Sequence, residues 1–248
     1  MNKLWLVMLT AILLVPNCVK EPSHPSQFNL DHFKAYRVIL VKANEPKEVS
    51  IKDQFITEPE RVTPDKITHF LLPVSKKAET GESSISNQQN HLGWYPLDLY
   101  TLEINFEFSN QFTNFNFTRM VVKNVKAILV PTEKIKKDSR FPENLDHYLC
   151  YQRVEGERTT TRVTLGDQFQ KNITTTATGP EYFCTPCSKD GKEINNNDDH
   201  LAVYTIGVGE PAREPVTITN QFGDQSFEVS EQVFLLVPSK KRLPSSGK

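Results

Sequence analysis

The chain has 248 residues, 38% of them hydrophobic and 24% charged, with a formal net charge of −1. That composition belongs to a folded body rather than a disordered one, and it leaves no basic field for nucleic acid or an anionic membrane surface. Fifteen phenylalanines, frequent Thr and Val, and the lack of long Ala/Leu/Glu runs of helical period favour pleated sheet.

The first element is a targeting segment. In "MNKLWLVMLTAILLVPNC", Lys3 precedes an apolar run from Leu4 to Val15. The run is shorter than the ~20 residues a bilayer-spanning helix needs, and it suits a signal-peptide core over 1–17. Cys18 closes the segment and resembles the lipidated cysteine of a bacterial lipobox. Val15, Pro16 and Asn17 stand where that motif has Leu, a small residue and Gly or Ala, a looseness similar to spirochaetal lipoproteins. The resemblance implies a lipid anchor at Cys18, a membrane partner through it, and a bacterial cell-envelope location. Residues 18–29, with Pro22 and Pro25, read as a semi-extended tether.

From residue 30 onward three landmarks recur four times. "DHFKAY" at 31 is followed by "DQF" at 53 and "PVSK" at 73. Then come "NHLGWY" at 90, "NQF" at 110 and "PTEK" at 131. After "IKKDSRFPEN", a charged linker over 135–144, follow "DHYLCY" at 146, "DQF" at 167 and "PCSK" at 186. "DHLAVY" at 199, "NQF" at 220 and "PSKK" at 238 complete the series before a tail over 242–248. Quarters one and three share Asp-Gln-Phe, and quarters two and four share Asn-Gln-Phe, so a duplicated pair was itself duplicated.

Each quarter reads as three strands: one opened by His, one running into Gln-Phe, one ended by Pro, which cannot donate to a ladder. "LEINFEF" alternates most clearly, with Leu102, Ile104, Phe106 and Phe108 on one face. The expected fold is all-β: two tandem six-stranded sandwich or barrel domains over 30–134 and 145–241, each an internal pseudo-twofold duplication. A four-bladed propeller is the alternative, since it would ring one channel with His. The three-landmark pattern resembles an uncharacterised family of secreted and surface bacterial β-repeat domains, most closely over 145–241. That resemblance implies no catalytic residues and no cofactor.

Asp53 and Asp167 are matched by Asn110 and Asn220, so the shared property is a short acceptor side chain, as in an Asx turn, and not a titratable charge. Phe55, Phe112, Phe169 and Phe222 read as core anchors. His32, His91, His147 and His200 read as strand-entry hydrogen-bonding positions; a metal protein or hydrolase built on them is the competing reading. No zinc-type ligand spacing supports a metal. Lys76, Lys134, Lys189 and Lys241 read as solvated loop charges. "CTPC" at 184–187 looks like a redox motif, but the "SKDGKEINNNDD" after it is a poor helix. An oxidising envelope favours a disulfide instead. Repeat alignment sets Cys150 against Ala35 and Cys184 against Leu71, which favours Cys150–Cys184, with Cys150–Cys187 next. The expected role is non-catalytic, in binding or adhesion to a protein or glycan or in structural support of the envelope.

Overall fold

In the computed structural model, which describes residues 28–244, every quarter contributes the three expected strands. Quarter one holds β1 (His32–Lys42), β2 (Val49–Lys52), β3 (Glu60–Val62), β4 (His69–Ala78) and the short β5 (Gly81–Ser83). Quarter two holds β6 (His91–Leu99), β7 (Ile104–Ser109) and β8 (Thr118–Lys134). Quarter three holds β9 (His147–Gly156), β10 (Thr159–Gly166) and β11 (Ile173–Lys189). Quarter four holds β12 (His200–Ile206), β13 (Glu214–Asn220) and β14 (Gly223–Arg242). A 3-10 turn at Gln111–Thr113 interrupts the pattern between β7 and β8. The leader expected over 1–17 and the Cys18 anchor lie outside the described residues.

β1 and β4, β6 and β8, β9 and β11, and β12 and β14 close into an antiparallel ring of eight. β1 pairs β4, β4 pairs β6, β6 pairs β8 and β8 pairs β9. β9 then pairs β11, β11 pairs β12, β12 pairs β14, and β14 returns to β1. The all-β class stands, but the halves are not two separate domains. Residues 30–134 and 145–241 share one sheet, joined at β8–β9 and at β14–β1. The physical reason is edge satisfaction: either half alone would leave open strand edges, and a closed ring leaves none.

Alternation along the ring strands creates two cores. Residues one and three places after each His fill the lumen. Phe33, Ala35, Leu92, Trp94, Cys150 and Val203 are among them, packed with Leu71, Leu129, Cys184 and Leu236. The outer face carries Tyr36, Tyr95, Tyr151 and Tyr204 in a larger core with Phe70, Phe106, Phe183 and Phe227. Cys150 stands opposite Cys184 with Cα atoms 4.0 Å apart, and the two are disulfide-bonded inside the lumen. Ala35 and Leu71 are register partners as well, so the repeat alignment located this pair. Cys187 sits three residues from Cys184 on the opposite face of β11, beyond reach of either, and is a buried thiol. "CTPC" is strand, not the helix start that thiol activation requires.

The prolines do not end the third strands. β4 continues to Ala78, β8 to Lys134, β11 to Lys189 and β14 to Arg242. Pro73, Pro131, Pro186 and Pro238 pair Phe33, Leu92, Tyr148 and Leu201 respectively. The ladder on the other edge stops two residues earlier, at Leu71, Leu129, Cys184 and Leu236. Each Pro therefore sits where the strand has lost its second ring neighbour, and its missing N–H leaves no ladder gap. Past the Pro, each strand takes up the second strand of the opposite quarter: β4 takes β10, β8 takes β13, β11 takes β2 and β14 takes β7.

Candidate functional site

The landmark residues meet at four equivalent junctions along one rim, because the four His-led strands run in the same direction around the ring. Each Asx side chain first builds its own turn. The Oδ1 atoms of Asp53, Asn110, Asp167 and Asn220 accept the backbone N–H of Phe55, Phe112, Phe169 and Phe222 at 2.8, 2.8, 2.7 and 2.9 Å. The remaining side-chain atom then reaches the Tyr of the opposite quarter. Tyr36 donates to Asp167 Oδ2 and Tyr151 to Asp53 Oδ2, both at 2.9 Å. Asn110 Nδ2 donates to the Tyr204 hydroxyl at 3.1 Å and Asn220 Nδ2 to that of Tyr95 at 2.7 Å. The following Phe packs edge-on against the same Tyr in all four cases, with ring centroids 4.9 to 5.6 Å apart.

Local donors explain which junctions carry Asp. Asp53 faces a second hydroxyl donor, Thr185, and Asp167 forms an ion pair with Lys34 at 2.6 Å, both side chains fully buried. Asn220 instead faces Thr132 Oγ1 at 3.0 Å and Asn110 faces Ser239 Oγ at 3.0 Å. Those hydroxyls already donate to the carbonyls of Val130 and Val237, so their oxygens need a donor, which Asn has and carboxylate lacks.

The four imidazoles stand on the outer side of the rim, each beside the Gln of the next quarter's Asx-Gln-Phe. His200 and His91 donate from Nδ1 to the carbonyls of Asp198 and Gln89, both at 3.0 Å. Their Nε2 atoms accordingly accept from Gln54 at 2.8 Å and Gln168 at 3.2 Å. His147 Nε2 donates to Gln221 Oε1 at 3.3 Å. Burial holds His91, His147 and His200 at a pKa of about 4 and His32 at about 3, so all four are neutral at physiological pH.

The Pro-x-x-Lys lysines are part of the same junctions and are not solvated loop charges. Lys134, Lys241 and Lys76 stand 4.5, 4.9 and 5.5 Å from the rings of Phe169, Phe55 and Phe112. Lys134 also donates to Gln168 Oε1 at 2.7 Å, and Lys189 pairs with Asp190.

The first junction differs from its sisters. Lys76 is 2% exposed and forms no salt bridge with the described residues; its one hydrogen bond is a long 3.4 Å contact to the Gly81 carbonyl. Burial pulls its ammonium down to about 8. Beside it, the buried His32 ring and the Gln111 side-chain amide face each other slightly outside ideal hydrogen-bonding geometry, and the amide raises the imidazole pKa against the pull of burial. All three line an open cleft of about 650 Å³, walled by Phe28, Leu165, Ser83, Ser84 and Asn172 among others. A groove of about 420 Å³ continues from it past Ser75, Gly166 and Asn172.

Among known families, a repeat of unknown function, DUF7450, matches the chain twice, over residues 6–127 and 110–238. The chain belongs to the DUF7450 repeat family. No curated protein and no solved structure matches it. The DUF7450 unit is as long as two quarters, in keeping with the nested duplication, and in this chain two units make one ring.

Sequence reasoning located the His, Phe and Asx positions, and the structure brings each set into the junctions. Phe112 and Phe222 are buried, while Phe55 and Phe169 are partly buried against the outer core. The four His are not gathered about one point, and no three His, Cys, Asp or Glu side chains cluster as metal ligands among the described residues. Lys34 was missed. Its signal was available: its counterparts are Gly93, Leu149 and Ala202, so a lone charge stands at an otherwise apolar position.

Proposed function

We propose that this DUF7450 chain is a non-catalytic, lipid-anchored protein of the bacterial cell envelope, a rigid ring that presents a ligand-binding cleft. The observation that carries this reading is the engagement of the repeated polar groups. The Tyr and Asx of all four quarters, and the His, Gln and Lys of most of them, hold one quarter to another, so the repetition serves assembly. The first junction opens onto a cleft of about 650 Å³ that the buried Lys76 lines. The anchor rests on the leader and Cys18. Phe28 at the cleft wall lies ten positions after Cys18, so a tethered cleft would lie within roughly 35 Å of the membrane surface.

Detergent phase partitioning of the expressed chain tests the anchor. The parent should enter the detergent phase and Cys18→Ala the aqueous phase. A Cys18→Ala variant that still partitions into detergent would contradict the reading. So would a turnover activity lost on His91→Gln while the fold is retained.

A further inference from the structure

We propose that the uncovered edge of β1 is a homodimer interface, at which residues 38–42 pair antiparallel with the same segment of a second copy of this chain. The dimer goes beyond the anchored binding role and does not depend on it. β4 accompanies β1 only as far as Arg37, which pairs His69, and the next N–H, that of Val38, donates to the Thr68 carbonyl at 3.0 Å. Beyond that point β14 covers one edge of β1, and no strand covers the other among the described residues. Ile39, Leu40 and Val41 are 56%, 38% and 78% exposed. A bare apolar edge of this kind is a template for another strand. In the sister quarters the same stretch is interrupted by Pro96 and Asp98, by Arg153 and Glu155, and by Gly207 and Gly209. Proline, charge and glycine all discourage edge pairing, and residues 38–41 contain none of them.

Symmetry and charge select a second copy and fix its register. The Val38 N–H points away from β14, so by ladder alternation the N–H and carbonyl of Leu40 face the open side as well. A twofold axis at Leu40 lets that residue exchange both hydrogen bonds with its own counterpart, and sets Ile39 against Val41 on either side of the axis. Lys42 then faces Val38, and no like charges stand directly opposed. An axis between Ile39 and Leu40 would set Arg37 against Lys42, which is unfavourable. An axis at Ile39 would need the edge of Arg37 that β4 already occupies. In the Leu40 register the sheet runs through β13, β14 and β1 of one copy into β1, β14 and β13 of the other. Five residues from each copy bury less than the ~1,200 Å² of a standard interface, so the dimer is weak and reversible.

Sedimentation equilibrium of the purified chain carrying Cys18→Ala, which keeps any anchor out of the measurement, tests the dimer. That chain should follow a reversible monomer–dimer equilibrium with a dissociation constant on the order of 10–100 µM, as a transient interface gives. Ile39→Lys and Val41→Glu should each weaken the dimer at least tenfold, since each sets a lone charge against an apolar partner. Combined in one chain they should restore it to within threefold, because the two new charges then face each other on both sides of the axis. Leu40→Pro removes an N–H that β14 does not use and should abolish the dimer. Val208→Lys, at a comparably exposed apolar position, should leave it unchanged. If Leu40→Pro fails to fold, the charge exchange at the exposed Ile39 and Val41 decides. A chain that is monomeric at every concentration, a dimer indifferent to the single substitutions, or a double variant that does not recover would overturn the proposal.

Discussion

The junctions at Asp53 and Asp167 and those at Asn110 and Asn220 have the same backbone turn, the same Tyr partner and the same Phe contact. They differ in the direction of the two bonds that each Asx side chain makes beyond its own turn. The carboxylates receive from Tyr36, Tyr151, Thr185 and Lys34, whereas the amides give to Tyr95, Tyr204, Thr132 and Ser239. A duplicated module can thus keep its geometry while the polarity at its centre inverts, provided that one neighbouring side chain changes with it.

The largest expected effect comes from breaking the charged junction. Lys34→Met strands the Asp167 carboxylate in a fully buried site and should cost about 3–5 kcal/mol in urea unfolding. Adding Asp167→Asn should recover most of that loss, because an amide beside Tyr36 reproduces the neutral junctions. A Lys34→Met variant as stable as the parent would show that the pair contributes nothing to the ring.

Inverting polarity at a neutral junction comes next. Asn220→Asp sets a carboxylate against Thr132 Oγ1, whose proton is held by Val130, and should cost roughly 2–3 kcal/mol. Asp53→Asn should cost less, about 1 kcal/mol, since the hydroxyls of Tyr151 and Thr185 can turn to accept. Equal costs for the two substitutions, measured by urea unfolding, would erase the distinction between the junction classes.

The turn and the disulfide were legible because each rests on one local or pairwise property. An Asx acceptor serves its own loop, and Cys150 and Cys184 replace Ala35 and Leu71 in a single paired register. The closure of the ring was not legible. A strand such as "PVTITN" carries the same alternation whether it pairs only within its quarter or, as β13 does, with β14 of its own quarter and also with β8 across the ring. Landmark spacing identifies equivalent positions without saying which copies touch. The lysine positions misled for a related reason: Pro-x-x-Lys reads as a turn when the Pro is taken as a strand end, and each strand in fact runs through it. The burial of Lys76 then follows from a partner, Phe112, that belongs to another quarter.

Unlike the Asx positions, the imidazoles are invariant across the four junctions. His32 is held at about 3, and His69, His91, His147 and His200 at about 4, by burial. Above pH ~6.5 neither the folded nor the unfolded chain protonates them, so stability should be flat in this respect. As pH falls from ~6.5 towards 4, the unfolded chain takes up protons that the folded chain refuses, and stability should decline. Asp53 and Asp199, whose carboxyls burial raises, act in the opposite sense, two groups against five. Between pH 7 and pH 5 the loss should be roughly 1–2 kcal/mol per imidazole. His91→Gln should shrink the decline by that amount, and an unchanged pH profile would mean that His91 is solvated.

The central claim is that two DUF7450 units close one ring whose quarters hold one another, and differential scanning calorimetry of the intact, disulfide-bonded chain tests it most directly. The account expects a single transition whose calorimetric and van't Hoff enthalpies agree. Two resolved transitions, one for 30–134 and one for 145–241, would contradict it.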